Sequence, residues 1–242
     1  MNIQNENKIS WCNVTINPVI GCKNRCPYCY ARKINDRFHF VPDFTKPVFF
    51  PERLKQFNSK KPKSIFINSM SDIEYWTGEQ MKSTISAIKA NKHHKYIFLT
   101  KADCAPYDLF FYHSFHQKNE EKSSLNIKTA DAAEGQHVFL GKTITGQADI
   151  TFTDYYNFDF LSIEPIHEAI TLGNTRKGSN LKQVIIGAET GNRKGKVIPK
   201  KEWIDDIVRQ ADEHRIRVFM KESLKSIMGT DFRQDKLIWS VE

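Results

Sequence analysis

The feature that most constrains this chain is a series of short, nearly continuous apolar runs: SIFIN at Ser64–Asn68, YIFLT at Tyr96–Thr100, VFLG within His137–Lys142 and VIIG at Val184–Gly187. A strand with one wet face alternates apolar and polar residues. A run without alternation belongs to a strand covered on both faces, as in parallel sheets. Val14–Ile20, Phe160–Ile163 and Arg217–Met220 complete the set of predicted strands. Amphipathic stretches lie between them. Thr77–Asn91 carries Met81, Ile85 and Ile88 at helical spacing, with Thr77 and Gln80 placed as a capping box. Lys200–His214 carries Trp203, Ile204, Ile207 and Val208 on one stripe. A further helix is expected over 105–115, and 116–136 reads as a polar insertion or loop.

Strands alternating with helices imply right-handed crossovers and a parallel sheet. The predicted fold class is therefore α/β, a partial (β/α) TIM-like barrel formed by a single domain over 1–242. In such barrels the chemistry sits at the C-terminal ends of the strands, so the residues directly after each apolar run are the ones to inspect.

The bulk properties exclude some classes. No stretch approaches eighteen consecutive apolar residues, so no membrane span is expected. The opening MNIQNENKIS lacks a secretory pattern, which points to the cytoplasm. A net charge of +8 favours anionic partners such as nucleic acid or nucleotides. Trp11, Trp76, Trp203 and Trp239 read as packing residues, and His93 and His94 as polar side chains facing solvent at a helix end. Oligomeric state leaves no mark on the sequence.

The five cysteines are Cys12, Cys22, Cys26, Cys29 and Cys104. An odd count with tight clustering argues against a disulfide framework. Cys22, Cys26 and Cys29 form a C-x3-C-x2-C loop after the first predicted strand and before a helix expected near Tyr30. Three thiolates can hold three corners of a cubane [4Fe–4S] cluster and leave the fourth iron open to a small molecule. Two bland readings stand beside this one. A zinc site would recruit Cys12 or His39 as fourth ligand, and a C-x2-C redox pair would leave Cys22 surplus.

This loop, with the aromatic Tyr28 before its third cysteine, resembles the signature of the radical S-adenosylmethionine (radical SAM) superfamily. That resemblance implies an enzyme in which the open iron chelates S-adenosylmethionine. Reductive cleavage of its sulfonium then yields methionine and a 5′-deoxyadenosyl radical that abstracts hydrogen from a substrate. It also implies a reducing donor of the flavodoxin or ferredoxin kind. Assembled together, NPVIGC, SIFINSMSD, YIFLTK, LSIEP, VIIGAETG and RVFMKES resemble a phage and bacterial radical SAM-like family of unknown function. The likeness runs from about Trp11 to Met228 and implies the radical SAM type of partial barrel.

Superfamily members place a Gly-Gly-Glu-like segment after the second strand, where it receives the methionine ammonium. Here Ser69, Met70, Ser71 and Asp72 stand in that position, a departure that leaves the backbone role in place and individual side-chain roles open. Lys142 and Thr143 follow the fourth run, and Thr145 is a further candidate for a ribose hydroxyl. Glu164 ends the fifth run and Glu189 the sixth. An acid at a strand end is costly to bury without a partner. Each is expected to hold the cofactor, contact substrate, or form an ion pair with Lys101, Lys142 or Lys221. The basic segment with Arg193 and Lys194 follows the sixth strand and is suited to a phosphate. Lys101, Arg193, Lys194 and Lys221 are accordingly the substrate-facing candidates. The segment 174–178 precedes that strand and reads as a solvated loop.

The favoured target class is nucleic acid or a nucleotide, for modification or repair. Spore photoproduct lyases and deazapurine-forming enzymes use similar loops. Peptide or protein modification is the alternative within the superfamily. A non-catalytic, zinc-stabilised nucleic-acid-binding module is the alternative outside it.

Overall fold

A computed structural model describes residues 9–102, 137–151, 154, 158–173 and 179–241. Cys104, the helix expected over 105–115, the insertion near 116–136 and the basic segment 174–178 lie outside the described residues. In chain order the elements are β1 (Val14–Thr15), β2 (Val19–Ile20), α1 (Tyr30–Phe38), β3 (Val48–Phe49), β4 (Ser64–Phe66), α2 (Gly78–Lys89), β5 (Lys95–Thr100), β6 (Val138–Ile144), β7 (Phe160–Ile163), β8 (Gln183–Ile186), α3 (Lys201–Glu213), β9 (Arg217–Met220) and the short α4 (Lys225–Met228), with 3-10 turns between and after them.

The apolar runs become the strands of a mixed α/β protein with a seven-stranded sheet in the order β1-β4-β5-β6-β7-β8-β9, parallel wherever its register is defined. The chain divides into two compact units, residues 1–100, 106–139 and 241–242 in one and 101–105 and 140–240 in the other.

In the first unit the predicted strand Val14–Ile20 is corrected. Asn17 and Pro18 interrupt it, because proline has no N–H for a ladder and restricts the residue before it. Thr15 is paired in parallel with Phe66. Val19 and Ile20 instead run antiparallel to Phe49 and Val48 in a separate two-stranded sheet. Helix α2 starts where its sequence dictates. Thr77 Oγ1 accepts from the Gln80 backbone N–H, and the Gln80 side-chain Oε1 accepts from the Thr77 N–H, a box worth about 1 kcal/mol. Met81, Ile85 and Ile88 are buried.

His94 is a second correction, since it is fully buried. Its Nδ1 accepts from the Lys63 N–H at 3.1 Å, so the proton sits on Nε2, 2.8 Å from the Phe57 carbonyl. The neutral ring thus ties the entry to β4 to the turn Pro51–Asn58. Burial pushes its pKa down.

In the second unit Ile204, Ile207 and Ala211 of α3 lie with Val184, Ile186 and Val218 in one buried cluster. Burying each isoleucine side chain is worth about 1.5–3 kcal/mol. Gly141 is required by close packing. A Cβ there would fall 2.2 Å from the Phe160 ring, which stacks edge-on against buried Trp239 with centroids 4.7 Å apart.

Candidate functional site

The cysteine loop leaves β2 at Gly21, and both the backbone and its surroundings demand glycine. The residue has φ +116°, and a Cβ would lie 2.9 Å from Pro47 Cα. Gly21 forms a parallel bridge to Ser71, its N–H donating to the Met70 carbonyl at 3.0 Å. The next N–H, of Cys22, donates to the Phe44 carbonyl at 2.7 Å. At the other end Cys29 is the N-cap of α1. Its Sγ accepts from the Arg32 N–H at 3.4 Å, which fixes the thiol at the first turn of the helix. Cys22 and Cys29 also pack against Ile20, Ala31, Val41, Phe44 and Met70.

Ser69, Met70, Ser71 and Asp72, chosen from the sequence for their place after the strand, lie directly against this loop. The Asn17 side chain exchanges hydrogen bonds with Ser69 Oγ (2.9 and 3.1 Å) and accepts from the Met70 N–H (2.9 Å). Tyr30 donates to the Ser69 carbonyl at 2.7 Å. Asp72 is buried, accepting from Thr100 Oγ1 (2.6 Å), the Glu74 N–H (3.1 Å) and Asn24 Nδ2 (3.3 Å). Asn24 also accepts from the Tyr75 hydroxyl at 2.7 Å. Asp72 thus anchors the cysteine loop to the strand ends. Ser71 accepts from the Trp76 indole, and the Met70 side chain belongs to the apolar cluster beneath the loop.

Sequence reasoning missed Asn17 and Asn24. The only clue to them was position, Asn17 before Pro18 and Asn24 between the first two cysteines, and neither carries a distinctive motif.

All three cysteines are free and half-buried. Burial, and to a smaller extent the neighbouring Asp72 carboxylate and the other two thiols, push the Cys22 thiol up to about 12. Among the described residues no three His, Cys, Asp or Glu side chains are drawn together closely enough to clasp a metal ion. An iron–sulfur cluster and a zinc ion make different demands on such donors. Zinc requires four ligands converging on one point, whereas a cubane takes each thiolate at a different iron. Cys12 directs its thiol at the Ile9 carbonyl, 4.0 Å away, and His39 is the C-cap of α1.

The second unit holds the other candidates, mostly in ion pairs. Lys142 is neither solvated nor at a surface. Nζ sits 3.0 and 3.2 Å from the two oxygens of Asp154, with the two side chains 1% and 0% exposed. Asp154 was missed because nothing in TFTDYY marks it. Thr143 is half-buried on β6, opposite Ser162. Thr145, expected at a ribose, donates to Asp149 at 2.8 Å. Burial opposes ionisation of Asp149, but hydrogen bonds from Thr145 and Gly146 and the charge of Lys101 hold its carboxyl below the usual range. Glu164 pairs with Lys221, as one of the sequence readings allowed. Glu189 instead takes Arg193 in a two-point contact at 2.6 and 2.8 Å. That contact occupies the guanidinium expected to meet a phosphate, while Lys194 is exposed.

Among the described residues no helix is long and apolar enough to cross a membrane. Comparison with curated proteins and with solved structures finds no match in either. Residues 6–230 match the model of a family described as a protein of unknown function, DUF5131. With nearly the whole length matched, this chain belongs to the DUF5131 family.

Proposed function

We propose that the chain is a radical SAM enzyme whose cysteine loop, Cys22, Cys26 and Cys29, holds a [4Fe–4S] cluster. The observation that carries the reading is the attachment of three free, half-buried thiols to the loop after β4 through Gly21, Asn17, Asn24 and Tyr30. A cluster with one open corner needs its three ligands on a fixed frame next to a polar segment that receives a small molecule. The parallel strand order is compatible with a partial (β/α) barrel of the radical SAM type.

When bound, such a cluster supplies the electron that cleaves S-adenosylmethionine to methionine and a 5′-deoxyadenosyl radical. The protein's own residues do the positioning. Cys29 is oriented by the first turn of α1, Cys22 by its bond to the Phe44 carbonyl, and Asp72 holds the two loops in register. The carbonyls of Ser69 and Met70 each accept one internal donor. A carbonyl oxygen has a second lone pair for an ammonium group. A reducing flavodoxin- or ferredoxin-like donor is required, and the +8 charge favours a nucleic-acid or nucleotide substrate. The reading rests on the first unit; Lys142, Glu164, Glu189, Arg193 and Lys221 are engaged in pairs of their own.

The test is anaerobic incubation with dithionite and S-adenosylmethionine, following release of 5′-deoxyadenosine. The parent protein releases it and Cys26→Ala does not. Release that persists in Cys26→Ala contradicts the assignment of these thiols.

A further inference from the structure

Helix α1, which begins directly after the third cysteine, presents a face that a chain folding for itself alone would bury. Tyr30, Ile34 and Phe38 follow one another at four-residue intervals, so they stand on one side of the helix. They are 49%, 36% and 57% exposed, and Phe40 beyond the helix end is 38% exposed. The Phe38 and Phe40 rings stack with centroids 5.9 Å apart, and the Arg37 guanidinium lies 5.1 Å from the Phe38 ring centre. Inward-facing Ala31 and Asn35 are buried. Asn35 is bonded at both side-chain atoms to Val41, so the helix is seated and its aromatic side remains at the surface.

The charge along the chain segment 23–46 that carries this helix is one-sided. Lys23, Arg25, Lys33, Arg37 and Lys46 are exposed, against Asp36 and Asp43, and Lys46 lies 3.6 Å from Asp43. Cation–ring pairs continue around the loop, with Lys23 over Tyr75, Arg32 over Phe44 and Arg53 over Phe50. A second copy of a chain carrying +8 is repelled by such a surface. An apolar protein helix would match the stripe but not the cations. Exposed rings interleaved with cations are what a single strand of nucleic acid requires, its bases stacking on the rings and its phosphates meeting the lysines and arginines. The stripe from Tyr30 to Phe38 is about 12 Å long, the height of roughly three or four stacked bases.

We propose that the exposed face of α1, with Tyr30, Phe38 and Phe40 as stacking rings and Lys33 and Arg37 as phosphate contacts, binds single-stranded nucleic acid beside the cysteine loop. This names a holding surface for the substrate class of the proposed function and rests on that reading for its purpose. The binding itself requires no radical chemistry, so the two fail separately.

The experiment measures fluorescence anisotropy of a labelled oligodeoxythymidine of about twelve nucleotides with the full-length, anaerobically purified protein. Iron content is measured on the same sample. Single-strand binding is expected to weaken as salt rises and to fall about tenfold or more in Phe38→Ala/Phe40→Ala. In Lys33→Glu/Arg37→Glu it should fall further, with a shallower salt dependence. These side chains are exposed, so thermal melting should be unchanged in both variants. An absence of binding at low salt overturns the proposal. So does binding that the double alanine variant retains in full, or that polyglutamate displaces as readily as unlabelled oligonucleotide, because those outcomes describe a surface for acidic proteins. Iron-free protein that still binds through the rings removes the cluster reading and leaves this surface standing.

Discussion

The buried pair Lys142–Asp154 offers a quantitative test of how the second unit is held together. Its charges are 3.0 Å apart with essentially no solvent at either side chain. At that separation, with an effective dielectric of about 20, the attraction is about 5–6 kcal/mol. Dehydrating two ions cancels most of it, so the pair as a unit contributes little net stability. Removing one member is different, because the survivor keeps its dehydration cost and loses its counter-charge. Lys142→Met and Asp154→Leu should therefore each destabilise by about 3–5 kcal/mol, or about 6–20 °C in melting temperature for a chain of this size. The double variant Lys142→Met/Asp154→Leu should return to within about 1 kcal/mol of the parent. Urea unfolding followed by near-ultraviolet circular dichroism completes the cycle. Additive losses in the double variant, or a harmless single substitution, would refute the reasoning and mean that water or another charge reaches the pair.

Two further outcomes follow from the first unit. Because the folded protein holds His94 below the ordinary imidazole value of 6.5, the unfolded chain binds a proton there that the folded chain refuses. Stability from this group is therefore complete above about pH 6.5, the unfolded value, and is lost as pH falls from there through the lower folded value. A His94→Asn variant should show a flatter decline in melting temperature over that window, and an unchanged slope would assign it to other groups. Gly21→Ala should destabilise by about 1–3 kcal/mol, since it forces a side chain into left-handed backbone against Pro47. An unaltered melting curve would show that this corner of the loop yields.

The strands were readable because an uninterrupted apolar run has one physical meaning, burial on both faces, and α2 was readable because Thr77 and Gln80 form a local cap. The expected strand Val14–Ile20 divides at Pro18, which cannot donate to a ladder, so its two halves join different sheets. Polar residues were harder to place because their partners are distant in sequence. Asn17 reaches Met70, Asn24 reaches Asp72, and His94 reaches Phe57. The candidate loops 22–29 and 69–72 were both visible beforehand, the first from thiol spacing and the second from its place after a strand. Their joining through two asparagines and a glycine was not. In the second unit charge alone was ambiguous. Glu164 and Lys221 paired as one reading allowed, whereas Glu189 took Arg193, which had been assigned to a phosphate.

The most direct test of the account is the metal content of the protein purified without oxygen. Brown protein carrying about four irons and matching sulfide per chain, both lost in Cys26→Ala, is the predicted result. Colourless protein that holds zinc at one equivalent would contradict it.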